Sequence, residues 1–170
     1  MSNLAFVRPL YTHMEWADAL VWQRILATPA AASDEKLHAL LLHIHMVQHA
    51  FLAIWKADAF DYAELSKERD LPALLQWARD AHLKIKAHVD GLEDAHLDAD
   101  LKLPWSDRLV KALGRTAAPT TLGETMLQVP MHSLYHRGQV NLRLRELGGD
   151  PPLVDFIAWL WLEKPAPEWP

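Results

Sequence analysis

The chain has 170 residues, of which 51% are hydrophobic and 23% charged, and these values are ordinary for a globular protein with one core. Its formal charge is −5 with acidic and basic residues interspersed, which disfavours a nucleic-acid-binding surface because such a surface needs a basic stripe. It has no cysteine, so disulfides are excluded and any metal ion must be held by nitrogen and oxygen ligands.

The N-terminal segment, residues 1–13, lacks a cationic stretch followed by an apolar core, so no secretory signal is predicted. No run reaches the roughly 18 apolar residues that a membrane-spanning helix needs. We therefore expect a cytoplasmic protein that binds neither membranes nor nucleic acids.

Two amphipathic helices are predicted in the first third of the chain. The first runs from about residue 4 to residue 27, and Pro29 ends it. Its apolar stripe consists of Phe6, Leu10, Met14, Ala17, Val21 and Ile25. Ser33 is the expected N-cap of the second helix, which fades near Lys56. The stripe of this second helix consists of Leu37, Leu40, Ile44, Val47, Phe51 and Trp55.

An acidic connection over residues 58–70 leads to a third helix, which begins near Pro72 and ends near Gly91. From residue 92 to residue 120 the pattern is poor, and prolines and glycines mark a long irregular connection. Such connections are often functional, so this one could form a wall of a substrate pocket with Trp105 as a flat contact.

The fourth helix has the clearest signals. Thr121 and Glu124 form a capping box, and Gly148 and Gly149 end the helix, while Pro130 is expected to kink it. A short apolar piece (residues 154–162) and a proline-rich tail follow. These elements predict an all-α four-helix bundle in a single domain, residues 1–170, with its core over about 4–149 and a C-terminal helical extension over 150–170.

Several histidines lie at helical spacings that matter for metal binding. His132 and His136 are four residues apart on one face of the fourth helix, so their rings can reach one ion. On a helical wheel both lie on the side of the apolar arc, and His43 lies at the edge of the arc of the second helix. His45 and His49 lie on the far side, so we expect them to point to solvent.

The candidate metal ligands are therefore His43, His132 and His136. Three neutral imidazoles leave one coordination position open for water or substrate. Gln48 and Gln139 are candidates for orienting a ligand or the water. The alternative is that each histidine is only a half-buried, hydrogen-bonded side chain at the edge of an apolar stripe.

A di-iron bundle would instead use Glu-x-x-His pairs on two helices. Glu35 with His38 and Glu93 with His96 have this spacing, but the first pair lies in an opening turn and the second in the predicted loop. The sequence has no His-Glu-x-x-His motif, no glycine-rich phosphate loop and no credible serine triad. Di-iron chemistry is therefore disfavoured.

The segment from His132 to Gln139, followed by residues 144–149 and two prolines, resembles a known family. Further matching positions are Trp16-Ala17, Leu42-His43-Ile44, Gln48, Phe51 and Asp155. Over nearly its whole length the chain resembles the DinB/YfiT-like superfamily of metal-dependent helical bundles. The resemblance implies an up-down-down-up bundle in which His43, His132 and His136 bind a divalent ion, commonly zinc or nickel.

The resemblance implies the reaction more loosely. Family members of known chemistry are thiol S-transferases or isomerases that use low-molecular-weight bacterial thiols, so we expect a thiol-dependent S-transferase or a hydrolase acting on a small electrophilic molecule. The family often has an acidic residue where this chain has Gln48, and a neutral amide cannot serve as a strong base. The prolines between Leu101 and Thr120 disfavour the small hairpin that the family often forms there.

The competing hypothesis is a non-catalytic metal-binding bundle that acts as a stress-related or oligomeric module. The chain has eight tryptophans, and Trp159 and Trp161 could form an oligomer interface, although such residues are more often core. A homodimer is expected because symmetric dimers are the commonest assembly. Tyr135 and Arg137 lean away from the apolar arc and are expected to be packing or surface residues.

Overall fold

A computed structural model of the chain describes residues 3–59 and 61–170 and shows an all-α bundle of four long helices. The long helices are α1 (Leu4–Leu26), α2 (Glu35–Trp55), α4 (Leu71–Asp90) and α6 (Leu122–Glu146). The short helices are α3 (Tyr62–Leu65), α5 (Ser106–Leu113) and α7 (Phe156–Trp161). The predicted bundle with a C-terminal helical piece is confirmed. Residues 1–2 of the predicted domain and Phe60 of the predicted acidic connection lie outside the described residues.

The direction of each long helix follows from two apolar clusters at opposite ends of the bundle. One cluster takes residues from 16–25 of α1, 37–44 of α2, 71–78 of α4 and 140–144 of α6. The other takes residues from 4–14 of α1, 51–55 of α2, 85–89 of α4 and 122–129 of α6. Because the chain order of the clusters is the same in α1 and α6 and reversed in α2 and α4, the bundle is of the up-down-down-up type that the resemblance implies.

Buried polar side chains lie between these two clusters on all four long helices. We call them the polar layer, and its members are Asp18 of α1, His45 and Gln48 of α2, His82 of α4, and Ser133 and Arg137 of α6. α2 packs against α4 and α6, and α1 packs against the same two helices, so the layer is enclosed on every side.

Local hydrogen bonds explain most helix ends. The Thr121–Glu124 capping box is confirmed, because each side chain bonds to the backbone of the other residue. The predicted N-cap of α2 is wrong by one residue: Asp34, not Ser33, accepts the hydrogen bond from the Leu37 N–H at 2.8 Å. The predicted stop of α6 is borne out, since Gly148 follows the helix with φ +81°. α6 remains one continuous helix across Pro130.

The first turns of α1 differ from the predicted stripe. Phe6 is 76% exposed, whereas Leu4 and Val7 are buried in the cluster that contains Tyr11 and Met14. The buried apolar stripe of α1 therefore begins at Leu4 and does not include Phe6.

The connection between α4 and α6 contains more regular structure than its sequence predicts. It holds a 3₁₀ turn (Asp94–Asp98), the strand β1 (Asp100–Leu101), α5 and the strand β2 (Thr120–Thr121). β1 pairs with β2 in antiparallel fashion. The expectation that prolines prevent this hairpin is wrong, because Pro104 and Pro119 fall outside the paired residues.

α2 is long and apolar enough to cross a membrane by length and composition, contrary to the expectation from the sequence. Its buried residues pack against α4 and α6 instead. A core helix of a helical bundle passes the same test, so this property alone is weak evidence for a membrane span.

Candidate metal centre

Three histidine side chains from α2 and α6 converge at the border between the core and the surface. The Nε2 atoms of His43 and His132 are 3.2 Å apart, and one nitrogen from each of His43, His132 and His136 lies within 4.8 Å of the others. Tetrahedral zinc with metal–nitrogen distances of about 2.0–2.1 Å has its ligand nitrogens about 3.3 Å apart. The spacing of the three nitrogens is therefore compatible with their sharing one ion.

The electrostatics of the group favour neutral rings, which are the form that binds metals. Burial lowers the pKa of His132 to about 4, with smaller contributions from His136 and His43. Burial, followed by repulsion from His136, also lowers the pKa of His43 below its usual 6.5. His132 and His43 are thus uncharged at pH 7, and each has a nitrogen lone pair available for an ion.

Gln139 fixes the orientation of one ring of the group. Its Oε1 atom lies 2.7 Å from His136 Nδ1. An amide oxygen only accepts hydrogen bonds, so Nδ1 carries the proton and Nε2 keeps its lone pair. A hydrogen bond of this kind is typical of a histidine that ligates a metal. Gln139 thus contacts one ring of the histidine group directly.

A cleft of about 430 Å³ is lined by one of the three histidines, His132. Val47 and Phe51 of α2 line one side, His132 and Gln128 of α6 line another, and Trp105 contributes a flat aromatic wall. The expected position of Trp105 in a pocket wall is borne out. Because His132 is also a member of the histidine group, the cleft borders the candidate metal centre at this residue.

The comparison with known proteins decides the family. The sequence matches the DinB family over residues 1–169. The chain belongs to the DinB family. It is similar to protein DinB of Bacillus subtilis (strain 168), with 25% identity over 175 residues that cover 96% of this chain and 98% of the relative. Family membership and the three-histidine group together fit a DinB-like metal-binding protein, and the resemblance noted in the sequence is confirmed.

This DinB-family chain contains a second group of potential ligands, Asp18, His45 and His82, inside the polar layer. The oxygens of Asp18 accept hydrogen bonds from Arg137, from His82 Nε2 at 2.9 Å and from Gln48 Nε2 at 3.1 Å. Burial would raise the pKa of Asp18, but Arg137 and His82 hold it well below the usual 3.8. The carboxylate is therefore charged and fully partnered.

The two nitrogens of His45 are also occupied. The indole N–H of Trp22 donates to His45 Nε2 at 3.2 Å, and His45 Nδ1 donates to Gln48 Oε1 at 2.9 Å. The only lone pair of this tautomer thus already accepts a hydrogen bond, and burial lowers the pKa of His45 to about 4. An ion would have to displace these bonds, so the second group is a structural network and not a metal site.

Two predictions about α2 are therefore wrong. His45 is 1% exposed, and His49 stacks on Trp77 at a centroid distance of 4.3 Å with its Nε2 3.0 Å from the Trp77 carbonyl oxygen. Neither points to solvent, because α2 is flanked by other long helices and partners on α1, α2 and α4 satisfy the imidazoles.

The side chain of Gln48 also lies elsewhere than expected. Its amide bonds to Asp18, His45 and Ser133 in the polar layer, and not to a histidine of the candidate metal centre. Arg137 is a buried member of the same layer, covered by α1, whereas Tyr135 is a surface residue.

Proposed function

We propose that this DinB-family protein is a divalent-metal-dependent enzyme acting on a small electrophilic molecule, with His43, His132 and His136 as the metal ligands. The observation that supports the proposal is that His132 belongs to the histidine group and also lines the cleft. A molecule in the cleft would meet an ion held by these rings. Imidazole ligands suit zinc and nickel, and these are the metals we propose.

When bound, such an ion would lower the pKa of a coordinated water or thiol and would polarise an electrophile. The chain supplies the rest of the site. Gln139 holds the ring of His136 with Nε2 free, and Phe51 and Trp105 form apolar walls that exclude water from the bound molecule.

The acid–base groups of the cleft favour one reaction over another. None of the described residues that line it is a carboxylate, so the chain offers no carboxylate base there. A thiol with a pKa of about 8.5 loses its proton far more readily than water does. We therefore favour S-transfer from a low-molecular-weight thiol over hydrolysis, in the cytoplasm, where such thiols stay reduced.

The metal assignment is tested by elemental analysis after purification without chelators. We expect about one equivalent of a divalent metal per chain, and loss of that metal in His136→Ala. His96→Ala is the matched control, because His96 is an exposed histidine outside the candidate metal centre. Unchanged metal content in folded His136→Ala protein would refute the assignment.

The thiol assignment is tested in cobalt-substituted protein. Addition of a low-molecular-weight thiol should change the visible absorption spectrum, and a screen of electrophiles with that thiol should reveal turnover that His136→Ala lacks. A metal-loaded protein that shows neither response would favour the non-catalytic hypothesis.

One observation favours that second hypothesis. α6 exposes Met131, Leu134 and Leu142, and Trp161 of α7 is 78% exposed, whereas Trp159 is buried in the core. We propose that a homodimer, if the protein is an oligomeric module, uses the exposed apolar residues of α6, Met131, Leu134 and Leu142. Sedimentation of the wild type and of Leu134→Lys tests it, since a monomeric wild type would refute the module.

A further inference from the structure

The cleft beside the histidine group has an unbalanced charge. Among the described residues that line it, Arg108 of α5 is the only one with a formal charge. Arg108 makes no ion pair with the residues that the structure describes. Its guanidinium carbon lies 5.9 Å from the ring centroid of Tyr62, which is a weak cation–π contact and leaves its N–H groups available.

The walls of the cleft are apolar and partly aromatic. The rings of Phe51 and Trp105 meet edge to face, with centroids 5.2 Å apart and planes at 79°. Val47 and Ala50 of α2 continue this surface. Such walls bind a flat apolar body, and a volume of about 430 Å³ lies within the range of small-molecule sites.

The polar groups of the cleft differ in their depth. Arg108 is exposed, so it lies where the cleft meets solvent, whereas His132 is half-buried. Gln128 lies one helical turn before His132 on α6, on the same face. A molecule that places an anionic group at Arg108 can therefore direct another part of itself toward the histidines.

We propose that the cleft selects small molecules that combine a flat apolar body with an anionic group, such as a carboxylate, which Arg108 binds. A guanidinium pairs with a carboxylate through two parallel hydrogen bonds, which gives orientation as well as affinity. The inference rests on the proposed function for the reaction that follows binding, but the binding preference itself can be measured without it.

The experiment compares naphthalene-2-carboxylate with the isosteric naphthalene-2-carboxamide by isothermal titration calorimetry. Chelator-treated and zinc-loaded protein are both titrated, because a divalent ion held by three neutral rings would also attract anions. In metal-free protein we expect the carboxylate to bind about fivefold tighter than the amide, the size expected for a partly exposed charge pair.

Four variants assign the preference to its source. Arg108→Gln should bind both probes equally, whereas Arg108→Lys should keep part of the preference because it keeps the charge. Arg115→Gln is the matched control, since it removes a nearby exposed arginine that does not line the cleft, and it should behave as the wild type. Trp105→Ala should weaken both probes by a similar factor, because it removes an uncharged wall that both probes would contact.

Equal binding of both probes to metal-free wild type would overturn the inference, and so would a preference that survives Arg108→Gln. A preference that appears only with zinc and persists in Arg108→Gln would assign anion selection to the ion and would also overturn it. These outcomes are independent of metal retention by His136→Ala, so the inference and the proposed function can fail separately.

Discussion

Replacing Asp18 with asparagine tests whether charge pairing holds the polar layer together. The side chains of Arg137 and Asp18 are only 2% and 5% exposed, so loss of the carboxylate leaves a buried guanidinium without a counter-charge. Breaking a buried ion pair in this way lowers the free energy of unfolding by about 3–5 kcal/mol. For a chain of this size, that loss corresponds to a fall in Tm of roughly 6–20 °C.

Unfolding in guanidinium chloride, followed by far-UV circular dichroism, measures the effect. Asp80→Asn is the matched control, because Asp80 pairs with Lys84 at the surface of α4, and we expect a change within about 0.5 kcal/mol. The double variant Asp18→Asn/Arg137→Met removes both buried charges. It should recover part of the loss, because no uncompensated charge remains.

A similar decrease in the free energy of unfolding in Asp18→Asn and Asp80→Asn would contradict this reasoning. So would a double variant that is destabilised by the sum of its two single changes, because additivity would mean that Asp18 and Arg137 do not interact.

Three smaller perturbations test the polar layer, the metal group and the C-terminal tail. Because the folded-state pKa of Asp18 is depressed, the stability that its carboxylate contributes is complete above about pH 4 and is lost as the pH falls further. The denaturant midpoint should therefore fall less steeply between pH 5 and 2.5 in Asp18→Asn than in the wild type. Parallel plots of midpoint against pH for the two proteins would contradict this role of Asp18. Gln139→Ala removes the hydrogen bond that orients the ring of His136, so it should weaken metal binding about 10- to 100-fold in a chelator competition. An unchanged metal affinity would show that Gln139 does not orient a ligand. The ring of Trp169 covers the ring of His82, with their centroids 5.4 Å apart. Trp169→Ala should therefore lower the free energy of unfolding by about 1–3 kcal/mol, whereas an unchanged free energy would mean that the tail does not stabilise the bundle at His82.

The bundle itself could be predicted because its signals are local. Apolar spacings of three and four residues, the Thr121–Glu124 capping box and the glycines after α6 each act within a few residues of the chain. The convergence of His43 with His132 and His136 could be predicted because all three lie at the edge of an apolar arc, and the family resemblance gave the same three positions.

The polar layer could not be predicted in this way. A helical wheel assigns one buried face to α2, so it placed His45 outside, although partners on neighbouring helices make its burial favourable. Those partners are distant in sequence: Trp22 precedes His45 by 23 residues, and Asp18 and Arg137 are 119 residues apart. The one local signal was Asp18 itself, a charged residue between Ala17 and Ala19 on the buried side of α1.

The polar layer also determines how the long helices are aligned along their axes. Ser133 directly follows His132, Arg137 directly follows His136, and His45 lies two residues after His43. If α6 slid by one turn, about 5.4 Å, Arg137 would leave Asp18 and the rings of His132 and His136 would move away from His43. A slide of α2 would separate the same rings and would take Gln48 away from Asp18 and Ser133. The register that satisfies Asp18 is thus also the one that brings the three rings together, so a change that disturbs the interior network should also disturb the histidine group.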